Sequence, residues 1–564
     1  MKVYIKGTNQ TVDLTQKNYA GGGGEGDVYV IGSVAYKVYN KSAKMIPVGK
    51  IHELSVITDP IVIKPDHILL DGRSKPIGYT MRFVKDALAL CQLFPRSFRD
   101  RNKITGPMIV DLVHKFQDGV KHVHDAQILI VDLNEMNFLA NKKFNDLYFI
   151  DTDSYQTKSY PATAIMPSIR DWKTPLGKFN ENSDWFSFGI VSFQMFVGIH
   201  PFKGKHPDVH GFEDRMKANI SIYNKDVSVP AAAYPLSVIP KEYNNWYKSV
   251  FEKGERCPPP DKFGVVLVAA PVIKTLVGSK LISIEELGDY QDDVLRVCGN
   301  SKNLTVVTAS GVWFNTRKVM DVTKKVTGIG FSTNSNVPVL FTGGERGDIS
   351  ELTNLNTRDK LPFGVQSFGV ESYDGRTYMK LLDHIYEVVL LSAGKQVIAS
   401  ATEAAQVLEH ATTLYPGVAI QKLLGATYTS LFIASGMSRQ IQIKELDGYR
   451  ILDAKFDNGV LMVIGEKKGK YDRLVFRIDQ DGTYDVRVIA DIATTGLNFV
   501  ALDSGVCVSI NEEGHLELFS NKKGSSSIKV IKDNAISGDM LIGECRDCVV
   551  VAYKHKVYKL SMNP

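Results

Sequence analysis

The pattern of apolar and polar positions along the chain changes near residue 275. Before that point, β-like runs at 27–39 and 77–84 precede a longer segment with helical spacing. The apolar positions of that segment are Ile109, Leu112, Val113, Phe116, Val120 and Val123. After residue 275 nearly every apolar run is short and is closed by a turn. The pattern predicts a mixed α and β domain over 1–275 and an all-β domain over 276–564.

Candidate hairpins recur through the all-β part. Their turn centres fall at residues 310, 345, 394, 436, 480, 513 and 554. A mean spacing of ~41 residues is typical of four-stranded propeller blades. We therefore expect a β-propeller of about seven blades. A two-sheet β-sandwich is the alternative, because regular hairpins alone do not distinguish the two folds.

The two ends of the all-β part also carry matching patterns. Residues 280–284 and 556–560 share one pattern, a lysine, two apolar residues, one polar residue and one apolar residue, and we interpret both as half-buried strands. A propeller leaves no long exposed edge when its first and last strands share a sheet. The sequence therefore predicts that these two segments pair.

Composition and charge narrow the functional classes. The chain has 564 residues, of which 44% are apolar and 23% charged, and this excludes a disordered or fibrous protein. Its length predicts several domains. The net charge of +5 is small and is not concentrated in a basic stripe. We therefore expect no nucleic-acid partner.

The distribution of cysteines and apolar runs bears on localisation. The six cysteines are widely scattered, which favours a reducing compartment. The N-terminal residues contain no apolar run of the kind found in signal peptides. The longest uncharged apolar stretch, 185–199, is shorter than the ~20 residues that a bilayer requires. These features predict a cytoplasmic protein with no membrane association.

A glycine-rich motif near the N terminus is the first candidate for chemistry. The motif GxGxxGxV is satisfied by Gly21, Gly23, Gly26 and Val28. Glycines let the backbone approach phosphates and point its N–H groups at them. The run VAYK then places Lys37 on the next strand, from which its ammonium can reach the α- and β-phosphates. Downstream, Glu53 offers a carboxylate to hold that lysine, although a surface glutamate is the alternative.

A second constellation contains the candidates for catalysis and metal binding. Asp132 and Asn137 lie five residues apart, and Asp151 follows an apolar strand fourteen residues later. This spacing can place a base beside an attacking hydroxyl and two oxygen ligands around magnesium.

Together these motifs resemble the eukaryotic-like protein kinase fold over about residues 15–270. The resemblance implies a bilobal α+β domain that uses ATP and Mg²⁺. It implies that the glycine motif and Lys37 bind ATP, that Asp132 is the catalytic aspartate, and that Asn137 and Asp151 bind magnesium. It also implies that Glu53 is the helix-C partner of Lys37.

Further positions extend the resemblance. The run YTMRFV places Met81 in a hinge segment under adenine, and Asp184 would brace the catalytic loop. Arg256 would pair with a carboxylate, for which Asp171 stands at about the right distance. The motif DTDS, which begins at Asp151 in place of DFG, resembles a divergent bacterial and phage branch of the fold.

Two departures from the kinase pattern bear on activity. Val131 replaces the arginine that usually precedes the catalytic aspartate, and Asn134 replaces the lysine two positions after it. We expect an ATP- and Mg²⁺-dependent protein kinase, Ser/Thr-directed, whose propeller recruits a protein substrate or partner. The alternatives are a nucleotide-binding pseudokinase scaffold and a small-molecule kinase.

Overall fold

The chain divides into two compact units. The computed structural model describes residues 1–22, 25–41, 44–261, 276–299, 304–333, 335–394, 396–546 and 548–563. The first unit comprises Met1–Ala270, Glu466–Tyr471 and Ala493–Thr495, and the second comprises Pro271–Gly465, Asp472–Ile492 and Gly496–Pro564. The expected boundary at 275 lies outside the described residues. Strands make up 41% of the structure and helices 17%, so the multidomain protein is mostly β.

A seven-stranded antiparallel sheet begins the first unit. Its strands are β1 (Lys2–Ile5), β2 (Thr11–Asp13), β3 (Tyr19–Gly22), β4 (Gly26–Ile31), β5 (Val34–Tyr39), β6 (Ile68–Leu70) and β7 (Pro76–Arg82). They lie in the order β2-β1-β6-β7-β5-β4-β3. The turn between β4 and β5 contains Gly32 at φ +61°, a left-handed conformation that favours glycine. The strands predicted at 27–39 and 77–84 are confirmed.

A smaller sheet and the helices complete this unit. The sheet has the strands β8 (Leu88–Ala89), β9 (Phe138–Ala140) and β10 (Leu147–Phe149), in the order β10-β9-β8. The helices are α1 (Val48–Leu54), α2 (Arg96–Asn102), α3 (Gly106–Asp125), α4 (Glu181–Val197), α5 (Phe212–Ala218) and α6 (Lys241–Phe251). In the part of the chain that the structure describes, no helix combines the length and apolarity needed to cross a bilayer.

Helices α3 and α4 form the core of the helical part. Helix α3 buries the apolar face that its spacing predicts, and α4 is buried along nearly its whole length. The N-cap of α4 is Asn180, whose side chain accepts a hydrogen bond from the Ser183 N–H at 3.1 Å. The ring of Phe116 on α3 lies 4.8 Å from that of Phe188 on α4 and 4.6 Å from that of Phe138 on β9. This packing fixes the small sheet that carries the polar loops described below.

The described strands of the second unit form seven sheets. Their bounds are β11 (Ile282–Asp289), β12 (Val294–Gly299), β13 (Leu304–Thr308), β14 (Gly311–Phe314), β15 (Arg317–Asp321), β16 (Val326–Phe331), β17 (Pro338–Thr342), β18 (Asp348–Asn354), β19 (Lys360–Ser367), β20 (Gly369–Tyr373), β21 (Arg376–Lys380), β22 (His384–Ala393), β23 (Gln396–Gln406), β24 (Thr412–Tyr415), β25 (Val418–Leu423), β26 (Ala426–Ala434), β27 (Met437–Gln442), β28 (Arg450–Asp457), β29 (Val460–Lys467), β30 (Lys470–Ile478), β31 (Tyr484–Ile492), β32 (Phe499–Ala501), β33 (Val506–Ile510), β34 (Leu516–Ser520), β35 (Ile528–Ile531), β36 (Leu541–Ile542), β37 (Glu544–Cys545), β38 (Val549–Tyr553) and β39 (Lys556–Met562).

Strand order follows the chain in five of these seven sheets. Five sheets contain four consecutive strands each, beginning at β16, β20, β24, β28 and β32. Another sheet has the order β15-β14-β13-β12-β37, and the remaining one has β11-β39-β38-β36. Each predicted turn centre, from 310 to 554, joins two neighbouring strands, and the seven turns fall in seven different sheets. The predicted hairpin positions are confirmed.

The sheet that contains β11 and β39 joins the first and last described strands of the second unit. The two strands are antiparallel, with Ile282 opposite Met562 and Ile284 opposite Leu560. On its other side β39 pairs with β38. The prediction that the two segments lie in one sheet is therefore confirmed, but the register is offset, and within 280–284 and 556–560 only Ile284 and Leu560 lie opposite each other.

Buried apolar clusters join each sheet of the second unit to the next. Side chains that share a cluster across neighbouring sheets include Val306 with Val550, Val312 with Ile329, Phe341 with Val370, Ile385 with Leu414, Leu431 with Phe456, Met462 with Phe499, and Val508 with Val551. The last of these pairs links the sheet that begins at β32 to the sheet that contains β11 and β39. The series of sheet contacts therefore returns to its starting point.

Candidate active site

Three charged side chains meet where β5 passes the end of β10. The Nζ atom of Lys37, on β5, lies 2.6 Å from Asp153 Oδ2 and 3.2 Å from Asp151 Oδ1. Asp151 adopts a left-handed backbone at φ +61°, and a single 3₁₀ turn then brings Asp153 back toward the lysine. The side chain of Asp153 is only 4% exposed, whereas that of Asp151 is 42% exposed. Asp153 is therefore the buried counterion of Lys37, and Asp151 keeps access to a ligand.

Burial and neighbouring opposite charges shift the pKa values of Lys37 and Asp153 in opposite directions. Burial alone would lower the pKa of Lys37, but the charges of Asp153 and Asp151 raise it above its ordinary value. Burial would raise the pKa of Asp153, but the charge of Lys37 holds it below its ordinary value. Partial desolvation of the Asp151 carboxylate, followed by the charge of Asp153, raises the pKa of Asp151. A bound cation would reverse that shift, because it stabilises the carboxylate form.

Two further side chains hold Asp153. The Tyr39 hydroxyl donates to Asp153 Oδ2 at 2.6 Å, and Lys50 Nζ, from α1, donates to the Asp153 backbone carbonyl at 2.6 Å. The sequence motifs predict no role for Asp153 or Lys50. The signals available were the second aspartate in DTDS and the position of Lys50 on the same helical face as Ile51 and Leu54.

The structure does not bring Glu53 to Lys37. The Glu53 carboxylate accepts a hydrogen bond from the Ser159 N–H at 3.1 Å, and hydrogen bonds from Thr157 and Ser159 lower its pKa. Residues 50, 51 and 54 of α1 are buried, so the helix turns Glu53 away from the site. Lys37 therefore takes its carboxylate partners from the loop after β10.

The loop before β9 positions Asp132 and Asn137. The side-chain amide of Asn137 donates to the Asp132 backbone carbonyl at 3.0 Å, and that of Asn134 donates to Asp132 Oδ2 at 3.0 Å. The Met166 N–H donates to Asp132 Oδ1 at 2.9 Å. The Ile150 N–H donates to the Asn137 carbonyl at 2.9 Å, which ties this loop to the residue preceding Asp151.

Asp184 on α4 holds the backbone of this loop by hydrogen bonds. It is fully buried and accepts hydrogen bonds from the Ile130 N–H at 2.8 Å and the Val131 N–H at 2.9 Å. His124 Nε2 lies 3.0 Å from the same carboxylate. Val131 has φ +65°, an unfavourable conformation for a β-branched residue, and these bonds hold it there.

Asp171 and Arg256 form a two-bond ion pair. Arg256 Nη2 lies 2.6 Å from Asp171 Oδ1, and Arg256 Nε donates to Oδ2 at 2.8 Å. This fork geometry is the strong form of an arginine–carboxylate contact. The structure thus brings together two residues that lie 85 positions apart and that the sequence analysis paired.

The glycine motif lies on the β3–β4 edge of the large sheet. Gly21 pairs with Val28 across this hairpin, and Val28 in turn lies opposite Lys37. A Cβ atom at Gly26 would clash with the Val38 carbonyl oxygen, so the close approach of β4 and β5 requires glycine there. Gly23 lies outside the described residues. Met81 lies on β7, opposite Ala35 of β5.

The oxygen atoms of Asp151 and Asn137 suit a magnesium ion. Mg²⁺ prefers hard oxygen ligands and usually takes only one or two from protein carboxylates. Asn137 uses its amide nitrogen for the Asp132 carbonyl, which leaves its carbonyl oxygen as a ligand. No group of three or more His, Cys, Asp and Glu residues that could hold a metal occurs in the described ranges. A magnesium ion bound here would need further oxygen ligands besides these two side chains.

His200, in the loop after α4, makes this unit sensitive to acid. Its Nε2 donates to the Ser168 carbonyl at 2.7 Å and its Nδ1 accepts the Phe202 N–H at 3.2 Å, which requires a neutral ring. Burial lowers its pKa to about 3. Between that value and the unfolded-state value of about 6.5, only the unfolded chain binds the proton, so acid destabilises the fold.

We expect the free energy of unfolding of the first unit to fall by about 2 kcal/mol between pH 7 and pH 5 through His200 alone. The His200→Gln variant should lack this component, whatever its stability at pH 7. Denaturant titrations of both proteins at the two pH values measure how much the free energy of unfolding of each changes with pH. Parallel pH profiles would contradict a neutral buried His200.

Comparison with known proteins finds similarity to protein kinases over parts of the chain. No protein-family model matches it. It is 30% identical over 106 residues, or 18% of its length, to the dual specificity protein kinase pyk3 of Dictyostelium discoideum. It is 27% identical over 124 residues, or 21% of its length, to the cAMP-dependent protein kinase catalytic subunit of Schizosaccharomyces pombe. A third match, to the titin homolog of Caenorhabditis elegans, is 25% identical over 208 residues, or 34% of the chain.

These similarities are partial on both sides. The matched segments span 8% of the Dictyostelium kinase, 22% of the Schizosaccharomyces kinase and 1% of the titin homolog. They support a kinase-like fold in this chain.

Proposed function

We propose that the first unit is a bilobal kinase-like domain that transfers phosphate from ATP, with Mg²⁺, to a serine or threonine hydroxyl of a protein. The observation that carries this proposal is one site in which Lys37 is held by Asp153 and lies beside Asp151. The Ile150–Asn137 hydrogen bond couples this cluster to the loop of Asp132. The partial similarity to protein kinases supports the same conclusion.

Each residue has a distinct task in this reaction. Lys37 and the backbone of the glycine motif bind the phosphates. Asp151 and Asn137 would hold magnesium, which neutralises charge that develops on the transferred group. Asp132 orients the attacking hydroxyl and accepts its proton. Catalysis of this kind is mainly positioning and electrostatic stabilisation, so the hydrogen bonds that Asp184 accepts from the loop contribute by fixing its geometry.

A nucleotide-binding pseudokinase is the second candidate, and one contact favours it. Both carboxylate oxygens of Asp132 accept hydrogen bonds, one from Met166 N–H and the other from Asn134. A substrate hydroxyl would compete with these two donors for the lone pairs of the Asp132 carboxylate. A pseudokinase would bind ATP at Lys37 without magnesium-dependent transfer.

For the second unit we propose a seven-bladed β-propeller. Seven sheets and a cyclic series of buried clusters support it, because a two-sheet sandwich would place all inward-facing clusters between the same two sheets. The sheet shared by β11 and β39 would close the ring. We propose that this closed ring recruits the protein substrate or partner.

Magnesium-dependent phosphate transfer from labelled ATP tests the catalytic proposal. The native protein should label a protein substrate or itself, and EDTA should abolish the signal. The Asp151→Asn variant should lower the rate by about 100-fold or more, because it weakens the magnesium site.

The matched control is Asp118→Asn, which changes an exposed aspartate on α3 and should leave the rate unchanged. ATP binding by the native protein without any transfer would favour the pseudokinase. Equal transfer rates for the native protein and Asp151→Asn would contradict the magnesium assignment.

A further inference from the structure

Helix α1 places the side chain of Lys50 in the site, where the resemblance implies the carboxylate of Glu53. Lys50, Ile51 and Leu54 are its buried positions, and Lys50 is only 6% exposed. The two apolar side chains anchor the helix, so the long stem of Lys50 is directed inward with them. This places a second ammonium group near the Asp151–Asp153 turn.

The Lys50 ammonium lacks a contact counterion among the described residues. Its one hydrogen bond there goes to the Asp153 backbone carbonyl, at 2.6 Å. The Asp153 carboxylate is already occupied by Lys37 and Tyr39. Burial lowers the pKa of Lys50, and the more distant charges of Asp153, Asp151 and Glu25 offset that effect only in part. A buried cation in this condition is stabilised by a bound anion.

The Lys50 ammonium lies close to Lys37, the proposed phosphate-binding lysine. Lys37 binds the side chain of Asp153 while Lys50 binds its main chain, so the two ammonium groups flank a single residue. The charge of Glu25, a residue of the glycine-rich segment, also raises the pKa of Lys50. The Lys50 ammonium therefore contacts the Asp151–Asp153 turn beside Lys37, the residue to which the proposed function assigns the nucleotide phosphates.

We propose that Lys50 is a second phosphate-binding lysine, which pairs with the phosphates of a nucleoside di- or triphosphate beside Lys37. This inference rests on the proposed nucleotide site. It departs from the arrangement that the resemblance implies, in which Lys37 pairs with a glutamate from this helix. Here Lys37 occupies the Asp153 carboxylate, and a bound phosphate would supply Lys50 with the anionic contact that it lacks among the described residues.

The test measures binding of ATP, ADP and adenosine to three variants by calorimetry. Lys50→Met keeps an unbranched apolar stem without the charge, and should weaken ATP and ADP binding by about 10- to 100-fold, the loss expected for a charge-assisted hydrogen bond. Adenosine affinity should stay unchanged, because it has no phosphate. Lys50→Arg should retain most ATP affinity. The control is Lys75→Met, in the exposed turn before β7.

A second measurement uses the native protein and so does not depend on how a variant folds. An ATP derivative with an acyl group on its terminal phosphate acylates lysine amines that lie against the phosphates. We expect the acyl group on both Lys37 and Lys50, with excess ATP blocking both. Acylation of Lys37 alone would overturn the proposal.

The outcomes separate this inference from the proposed function. Equal weakening of ATP and adenosine binding in Lys50→Met would indicate a purely structural role and overturn the assignment. Unchanged ATP binding in that variant would overturn it while leaving the nucleotide site intact. A native protein that binds no ATP would overturn the proposed function, and the Lys50 assignment with it.

Discussion

Replacing Asp132 with asparagine should lower phosphate transfer by about 10²- to 10⁴-fold, the range lost when a general base is removed. ATP affinity should change little, because Asp132 acts on the hydroxyl and not on the nucleotide. Asparagine keeps the oxygen that accepts the Met166 N–H, so the loop retains that hydrogen bond. Single-turnover transfer and ATP titrations on the same preparation measure the two quantities separately.

Lys37→Met is the informative companion of this variant. It removes the cation that Asp153 and Asp151 surround, so it should weaken both ATP binding and transfer. Asp132→Asn and Lys37→Met should thus differ in ATP affinity while sharing the loss of transfer. Transfer at the native rate by Asp132→Asn would refute the assignment of Asp132.

Deleting β39 should destabilise the second unit as a whole. The strand pairs with β11 on one side and β38 on the other, and its side chains Val557, Tyr558 and Leu560 are buried. Each such side chain contributes about 1.5–3 kcal/mol, so the strand accounts for several kcal/mol of a typical total of about 5–15 kcal/mol. We expect the melting temperature of this unit to fall by about 10 °C or more.

Calorimetry of the chain ending at His555 measures this effect, with ATP binding as the readout for the first unit. Leu560→Ala should reproduce part of the loss, about 2–5 kcal/mol. Lys559→Ala, on the opposite face of the same strand, should cost less than about 0.5 kcal/mol. An unchanged melting transition of the second unit after the deletion would argue against β39 as a closing strand.

Local patterns in the sequence predicted the elements that depend on nearest neighbours. The apolar spacing of α3 is a property of one helix, and the hairpin turns of the second unit need only a few residues each. The pairing of β11 with β39 was also predictable, because both segments mix apolar with polar residues in the same order and a closed array leaves no exposed edge. The Asp171–Arg256 ion pair followed from the resemblance and not from spacing.

The site was predictable only in part. Lys37, Asp132, Asn137 and Asp151 could be selected because each lies at a fixed distance along the chain from a strand or from another polar residue. The choice of partner for Lys37 could not be made in this way. Asp151 and Asp153 are 114 and 116 residues from the lysine, and Glu53 is much closer in sequence.

The sequence by itself determined the strands at 27–39 and 77–84, helix α3 and the hairpin turns of the second unit, because each depends on a few neighbouring residues. Tertiary structure decided which charges meet. The left-handed backbone of Asp151 rotates Asp153 onto Lys37, and the packing of Ile51 and Leu54 directs Lys50 inward while Glu53 faces Ser159. The placement of these three charged side chains depends on how α1 and the turn after β10 pack. Hydrophobic burial sets the rotation of a helix about its axis. Ion pairs then form only among the charges that this rotation brings together.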